Sequence, residues 1–191
     1  VELYQISQLI HHILSQQLRI GMGIDFHSLH EGYPLILAGI SIPFDKGFHV
    51  KRSDGDPLSH ALVDAFLAAL GEGDIADWFN DQDGTTNARS IDYLNEIYEK
   101  FLKPRHTTII NIEIIILAEQ PKLKPFYPQM QEAIASRLNI DVQRVSIQGK
   151  TYEGKGIIGQ QQGIETRAMV ALLTEPLSAQ TQKALTTSPN R

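Results

Sequence analysis

The sequence predicts one mixed sheet-and-helix sandwich, α+β or α/β. Short β-branched apolar runs alternate along the chain with amphipathic helical patterns. Of the 191 residues, 42% are hydrophobic and 20% charged, enough apolar surface for a single core. No internal repeat or linker divides the middle of the chain.

Residues 1–17 place Leu3, Ile6, Leu9, Ile10, Ile13 and Leu14 at helical spacing, which predicts a short amphipathic extension. A short apolar start, Arg19-Ile20-Gly21, opens the domain proper, residues 18–175. Strands are expected at 35–42, 107–117, 144–148 and 164–173, and helices at about 58–70, 90–102 and 128–138. The first helix has the best-marked ends, with Asp56 as an N-cap carboxylate before Pro57 and with Gly71 and Gly73 as stops. Residues 176–191, rich in Ser, Thr, Gln and Ala, read as a flexible tail.

Composition removes several function classes. With 17 Lys+Arg against 22 Asp+Glu the net charge is −5, and no basic run favours a nucleic acid polymer or an anionic membrane as partner. The absence of cysteine excludes thiolate nucleophiles, disulfides and iron–sulfur clusters, so any metal must rest on His, Asp and Glu. No apolar stretch approaches the roughly 18 to 20 residues of a bilayer span; residues 109–118 are interrupted by Asn111 and Glu113. The expected compartment is the cytoplasm, or an organelle stroma if the amino terminus, which starts at Val1, is a processed transit form.

Four stretches carry candidate chemistry. In an extended segment Asp25 and His27 leave the same face and can converge on one ion, zinc or manganese before calcium, although Asp-x-His alone is more often a hydrogen-bonded strand pair. The polar loop 51–56 runs into a helix whose first turn carries His60. Ser53 and Arg52 there suit a phosphate cradle, and His60 supplies a third ligand, with Asp64 one turn on to orient it. The bland reading of this stretch is an Asp-Pro helix cap followed by an exposed His. Thr151 and Glu153 lie in a glycine-rich loop suited to holding a hard cation against phosphate, a composition common in plain turns as well. Pro121-Lys122-Leu123-Lys124-Pro125 ends an apolar strand and presents cations on a rigid loop, to bracket a nucleotide or to make a strand end soluble.

Together, Arg19-Ile-Gly-x-Gly-x-Asp25-x-His27, Ser53-Asp-Gly-Asp56-x-x-x-His60, the 73–83 stretch, Ala118-x-x-Pro121-Lys122-x-x-Pro125 and Thr151-x-Glu153 resemble the 2-C-methyl-D-erythritol 2,4-cyclodiphosphate synthase family. The resemblance implies a homotrimer of α+β subunits with active sites between subunits. It implies a small-molecule substrate, 4-diphosphocytidyl-2-C-methyl-D-erythritol 2-phosphate, cyclised with release of CMP in the non-mevalonate route to isoprenoids. It further implies a zinc-type ion on Asp25, His27 and His60, and magnesium or manganese with substrate at Glu153. Thr151 and Arg52 fall at the two transition-state positions. Substrate contacts fall on Phe26 and Ser53, on Asp74, Ile75, Ala76, Phe79, Asn80, Asp81, Gln82 and Asp83, and on the cytidine loop Ala118, Glu119, Gln120, Pro121, Lys122, Leu123 and Lys124. Lys150, Tyr152, Ile157 and Gln160 complete the set.

The chain departs from the family pattern at several of these positions. Arg52 stands where the family usually has His, Lys150 replaces a threonine, and Phe79-Asn80-Asp81 replaces Phe-Pro-Asp. Asn87-Ala88-Arg89-Ser90 replaces Gly-Ala-Asp-Ser. Ile157, Gln160 and Arg167 fall where the family's axial channel commonly has Phe, Arg and Glu, so that Arg-to-Glu pair is not expected and feedback binding of isoprenoid diphosphates is not carried over. The alternative reading is a divergent homologue that binds metal and a cytidine nucleotide with weak or lost cyclase activity. A third, hydrolysis of a nucleotide diphosphate, needs a water-activating base, for which His30 and Asp54 are the nearby residues.

Overall fold

The structure, a computed structural model, describes residues 4–7, 10, 17–49, 53–79 and 89–175. It is an α+β sandwich in which helices cover one face of a five-stranded sheet. Strand β1 (Gln17–Glu31) pairs antiparallel with β7 (Gly163–Thr174), from Gln17 against Thr174 to Ser28 against Gly163. β7 pairs antiparallel with β5 (Thr108–Leu117), which pairs parallel with β6 (Val145–Lys150). With β4 (Lys46–Phe48) on the far edge of β1, the order is β4-β1-β7-β5-β6.

The 15-residue β1 far exceeds the short apolar start expected from the sequence. Gly21 and Gly23 hide it there, and the structure shows why they are glycines. A Cβ at either position would lie 2.0 Å from a carbonyl of helix α1 (Pro57–Leu70), that of Ala65 or of Ala61. The helix therefore lies directly on the strand backbone. On the opposite face of β1 the alternating residues Leu18, Ile20, Met22 and Ile24 are exposed.

The expected strand 35–42 is instead a hairpin, β2 (Leu35–Leu37) and β3 (Ile40–Ile42). Ala38 and Gly39 take φ of 51° and 68° between them, the left-handed pair that a tight hairpin turn requires. Asp56 caps α1 as expected, accepting from the backbone N–H of Leu58 and Ser59 at 3.1 Å each and from Ser59 Oγ at 2.6 Å. It also accepts from Gly39 N at 2.8 Å, which ties the hairpin to the helix.

After α1 come α2 (Ile75–Trp78) and a run of helical turns, Ser90–Asp92, α3 (Tyr93–Glu96), Ile97–Leu102 and Lys103–Arg105, wound as π-helix over Ile97–Leu102. α4 (Tyr127–Leu138) begins one residue before its expected start, and α5 (Gly156–Gly159) precedes β7. The core lies between sheet and helices, with Leu58, Leu62 and Phe66 of α1, Ile112, Ile114 and Ile116 of β5, Val170 of β7, and Met130 and Ile134 of α4. Among the described residues no helix is long and apolar enough to cross a membrane. Of the expected extension, residues 4–7 form one helical turn, and Gln17 already belongs to β1; the expected tail lies outside the described residues.

Candidate active site

Asp25 and His27, two apart on β1, project on the same side toward His60 in the first turn of α1. Asp25 Oδ2 lies 3.2 Å from His27 Nε2 and 3.0 Å from His60 Nδ1. The three donor atoms fall within 4.8 Å of one another, the only such group among the described residues. His27 Nδ1 donates to Gly55 O at 2.8 Å, so in the neutral ring Nε2 is the lone-pair atom facing Asp25, and in the protonated ring it donates to that carboxylate. His60 Nε2 is 2.9 Å from Ser90 Oγ, and Ser90 Oγ is 2.6 Å from Asp54 Oδ1. One carboxylate oxygen and two imidazole nitrogens are a donor set that fits zinc with a further position open to substrate.

The local electrostatics favour a cation. Burial pushes the Asp25 carboxyl up, but hydrogen bonds from His27 and His60, and their charges, overcome it and hold it well below the ordinary carboxylate range. For His27 burial pulls the pKa down, and the hydrogen bond to Asp25 with that residue's negative charge more than offsets it, leaving the ring above its ordinary value.

Asp64 does not orient His60 as the sequence suggested. It accepts from Ile75 N at 2.8 Å and so ties α1 to the start of α2, while the far nitrogen of His60 goes to Ser90. The carboxyl of Asp64 is pushed up by burial and by Asp74 and Asp25, against the hydrogen bond from Ile75.

The residues expected around substrate fall in several places. Ser53 Oγ accepts from Gly55 N at 3.1 Å, beside the carbonyl that holds His27. Asp74 caps α2 by accepting from Ala76 N, and Phe79 stacks on Tyr93 with centroids 4.4 Å apart. Arg52, Asn80, Asp81, Gln82 and Asp83 lie outside the described residues. Phe26, between Asp25 and His27, faces the other side of β1 with its ring over Gly163, and only its backbone N–H reaches Asp25.

A cavity of about 500 Å³ opens at the ends of β5 and β6. Ala118, Glu119, Pro121, Lys122, Leu123, Lys124, Lys150 and Thr151 of the expected set line it; Gln120, on the same loop, does not. Ala118 N donates to Lys150 O at 3.0 Å, which joins the two walls. Glu153 stands beyond on the exposed turn after β6, outside the Asp25 cluster, with φ of 51°. Tyr152, Ile157 and Gln160 are exposed on the same stretch. An Arg–Glu pair does form nearby, with Arg167, which stands at the family's Glu position, as the cation: its Nε donates at 2.7 Å along β7 to Glu165, a residue the sequence did not single out.

Comparison with known proteins then decides the family, because residues 18–173 match the model of the YgbB family. The chain belongs to the YgbB family. It is 44% identical over 156 residues to a protein of Desulfitobacterium hafniense named 2-C-methyl-D-erythritol 2,4-cyclodiphosphate synthase, covering 82% of this chain and 98% of that one. It is 42% identical over 157 residues to a protein of the same name from Neisseria gonorrhoeae, covering 82% and 97%. Among solved structures, a Plasmodium falciparum IspF in complex with CDP matches with a TM-score of 0.71 at 31% identity, over 83% of this chain and 97% of that one. The bifunctional IspDF of Campylobacter jejuni matches with a TM-score of 0.77 at 37% identity, over 84% of this chain but only 43% of that longer one.

Within this YgbB-family chain, sequence reasoning missed Gly55, Ser90 and Asp54 as partners of the histidines, and Ile116, Tyr127 and Gly149 as walls of the cavity. The signal for the walls was present, since each adjoins a residue or strand end already singled out. The histidine partners had none, because Gly55 and Ser90 meet the rings from 28 and 30 residues away and Asp54 reaches Ser90 from 36.

Proposed function

We propose that this chain converts 4-diphosphocytidyl-2-C-methyl-D-erythritol 2-phosphate to 2-C-methyl-D-erythritol 2,4-cyclodiphosphate and CMP. The observation that carries the reading is the convergence of Asp25, His27 and His60 on one point, in a chain 44% identical to a protein named for that synthesis. An oxygen of the 2-phosphate forms a bond to the β-phosphorus of the diphosphate as the bond from that phosphorus to CMP breaks. The nucleophile is already an anion, so the chain's work is positioning and charge neutralisation. When bound at Asp25, His27 and His60, a zinc-type ion supplies Lewis-acid neutralisation, and magnesium or manganese held with substrate at Glu153 supplies the same for the diphosphate.

In this reading the cavity takes the cytidine end, with the Ala118–Lys124 loop around the base and Lys122, Lys124 and Lys150 meeting phosphate charge. Thr151 donates its hydroxyl at the transferring phosphorus, and Arg52 supplies the second, permanently charged stabiliser. Ser53 and the 74–83 stretch hold the erythritol phosphate. A homotrimer explains two further observations. The open sheet face displays Leu18, Ile20, Met22, Ile24 and Met169 to solvent in a single copy. The metal cluster on β1 and the cavity on β5–β6 are two to three strand spacings apart in the sheet, about 10 to 14 Å, and in the proposed trimer a neighbouring subunit's cavity completes the site.

The test is product analysis by ³¹P NMR and mass spectrometry with divalent cation present. CMP together with a cyclic diphosphate is expected. Release of CMP no faster than from a His60→Ala control overturns the reading, and open-chain phosphates would indicate hydrolysis instead. Sedimentation of the wild-type chain and of Met22→Lys tests the assembly, with the substitution expected to dissociate the trimer.

A further inference from the structure

We propose that Ser90 and Asp54 form a positioning pair for the metal centre, fixing His60 in the tautomer whose Nδ1 lone pair faces Asp25 and His27. The inference rests on reading Asp25, His27 and His60 as metal ligands and deepens that reading by assigning two residues outside the ligand set. A carboxylate has no proton to give, so the single hydroxyl hydrogen of Ser90, 2.6 Å from Asp54 Oδ1, is spent on that oxygen. The backbone N–H of Ser90 donates to the same atom at 3.1 Å and fixes the serine from a second direction. Ser90 is fully buried, so water does not compete for the bond. Only lone pairs of Oγ remain to meet His60 Nε2 at 2.9 Å, and that nitrogen must carry the hydrogen.

A neutral imidazole has one N–H, so Nδ1 is left bare at 3.0 Å from Asp25 Oδ2. Two lone-pair atoms at that distance are an arrangement that a cation between them satisfies. Left to itself, Asp25 would favour the opposite tautomer, because its carboxylate accepts a hydrogen from Nδ1. The Ser90–Asp54 pair opposes that pull and keeps the ligand position open. His27 reaches the same end through its other nitrogen, using the Gly55 carbonyl in place of a serine and an aspartate.

The position of the pair adds a link to substrate. Asp54 directly follows the Arg52–Ser53 stretch assigned to substrate phosphate, so that segment runs into the hydrogen bonds that orient His60.

The experiment uses the full chain with Ser90→Ala, Asp54→Ala and the double variant, freed of metal and titrated with zinc against a chromophoric chelator. Loss of an outer partner of a metal-bound histidine weakens metal binding by about 10- to 100-fold, and that is the expected loss for each single variant. The double variant is expected to lose no more than the worse single, since the two residues act through one bond. Long-range ¹H–¹⁵N NMR of the metal-free proteins, at a pH where the ring is neutral, should show Nε2–H for His60 in the wild type and a shift toward Nδ1–H in Ser90→Ala. Unchanged zinc affinity in a folded variant, additive losses in the double variant, or an unchanged tautomer each overturns the pair. A wild-type chain that binds no zinc overturns the metal-centre reading itself, which separates the two failures. Asp54→Ala carries the test alone if Ser90→Ala does not fold.

Discussion

At the β1–α1 end of the sheet, three side chains meet within 4.8 Å and the far nitrogen of each histidine is held by the protein. At the β5–β6 end, a cavity of about 500 Å³ is walled by proline, aliphatic and lysine side chains on a loop and two strand ends. The first region is built on a strand and a helix in direct backbone contact, and it is rigid because glycines let them touch. The second is open to solvent. In the proposed reading, chemistry that depends on ångström placement sits on packed elements, whereas recognition of a larger group is left to a loop.

Removing a ligand should separate the regions most sharply. Asp25→Asn or His27→Ala is expected to weaken zinc binding by more than the about 100-fold typical of outer-partner changes, while CDP binding at the cavity stays near wild type. Calorimetric titration of each variant with zinc and with CDP checks this, and equal losses of both would merge the two regions into one unit. Gly23→Ala comes next, because its Cβ would sit 2.0 Å from Ala61 O and push α1 off β1. A cost of about 1–3 kcal/mol in urea unfolding is expected, with reduced zinc affinity as His60 moves.

At the other end, Lys150→Ala should weaken CDP binding roughly 10- to 150-fold, in keeping with about 1.5–3 kcal/mol for a hydrogen bond to a charged group, and leave zinc titration unchanged. The smallest effect is a pH dependence confined to the metal-free β1–α1 end. The raised pKa of His27 means that its protonated form stabilises the fold fully below the ordinary value of 6.5, and that this contribution is lost as pH rises through the folded value. The lowered pKa of Asp25 contributes above the ordinary value of 3.8 and is lost as pH falls through the folded value. Both contributions are therefore present between those ordinary values, and denaturation of chelator-treated protein should show stability falling above that window. In His27→Asn the fall should vanish; a fall that persists would assign it elsewhere.

Much of the ligand set was legible because its spacing is local. Asp25 and His27 share a strand face through the two-residue period, and His60 follows the Asp56-Pro57 helix start by one turn. The length of β1 was hidden because Gly21 and Gly23, chosen for contact with α1, interrupt the apolar pattern that marks a strand. In sequence the hairpin at 35–42 resembles one strand, because Ala38 is apolar and carries no sign of its positive φ. Tyr127 and Gly149 joined the cavity only when α4 and β6 were brought side by side.

The sequence by itself determined the alternation of strands and helices, the capped start of α1 and the residue types able to hold a metal. These follow from hydrophobic period and from the stereochemistry of a few adjacent residues. The tertiary structure alone decided which carbonyl, hydroxyl and carboxylate stand behind the two histidines, and that Asp64 serves Ile75 rather than His60. A hydrogen bond depends on direction and on tenths of an ångström, and across the 28 to 36 residues between Gly55, Ser90, Asp54 and their partners only the packing of α1 on β1 and of the Ser90 turn on α1 sets either one.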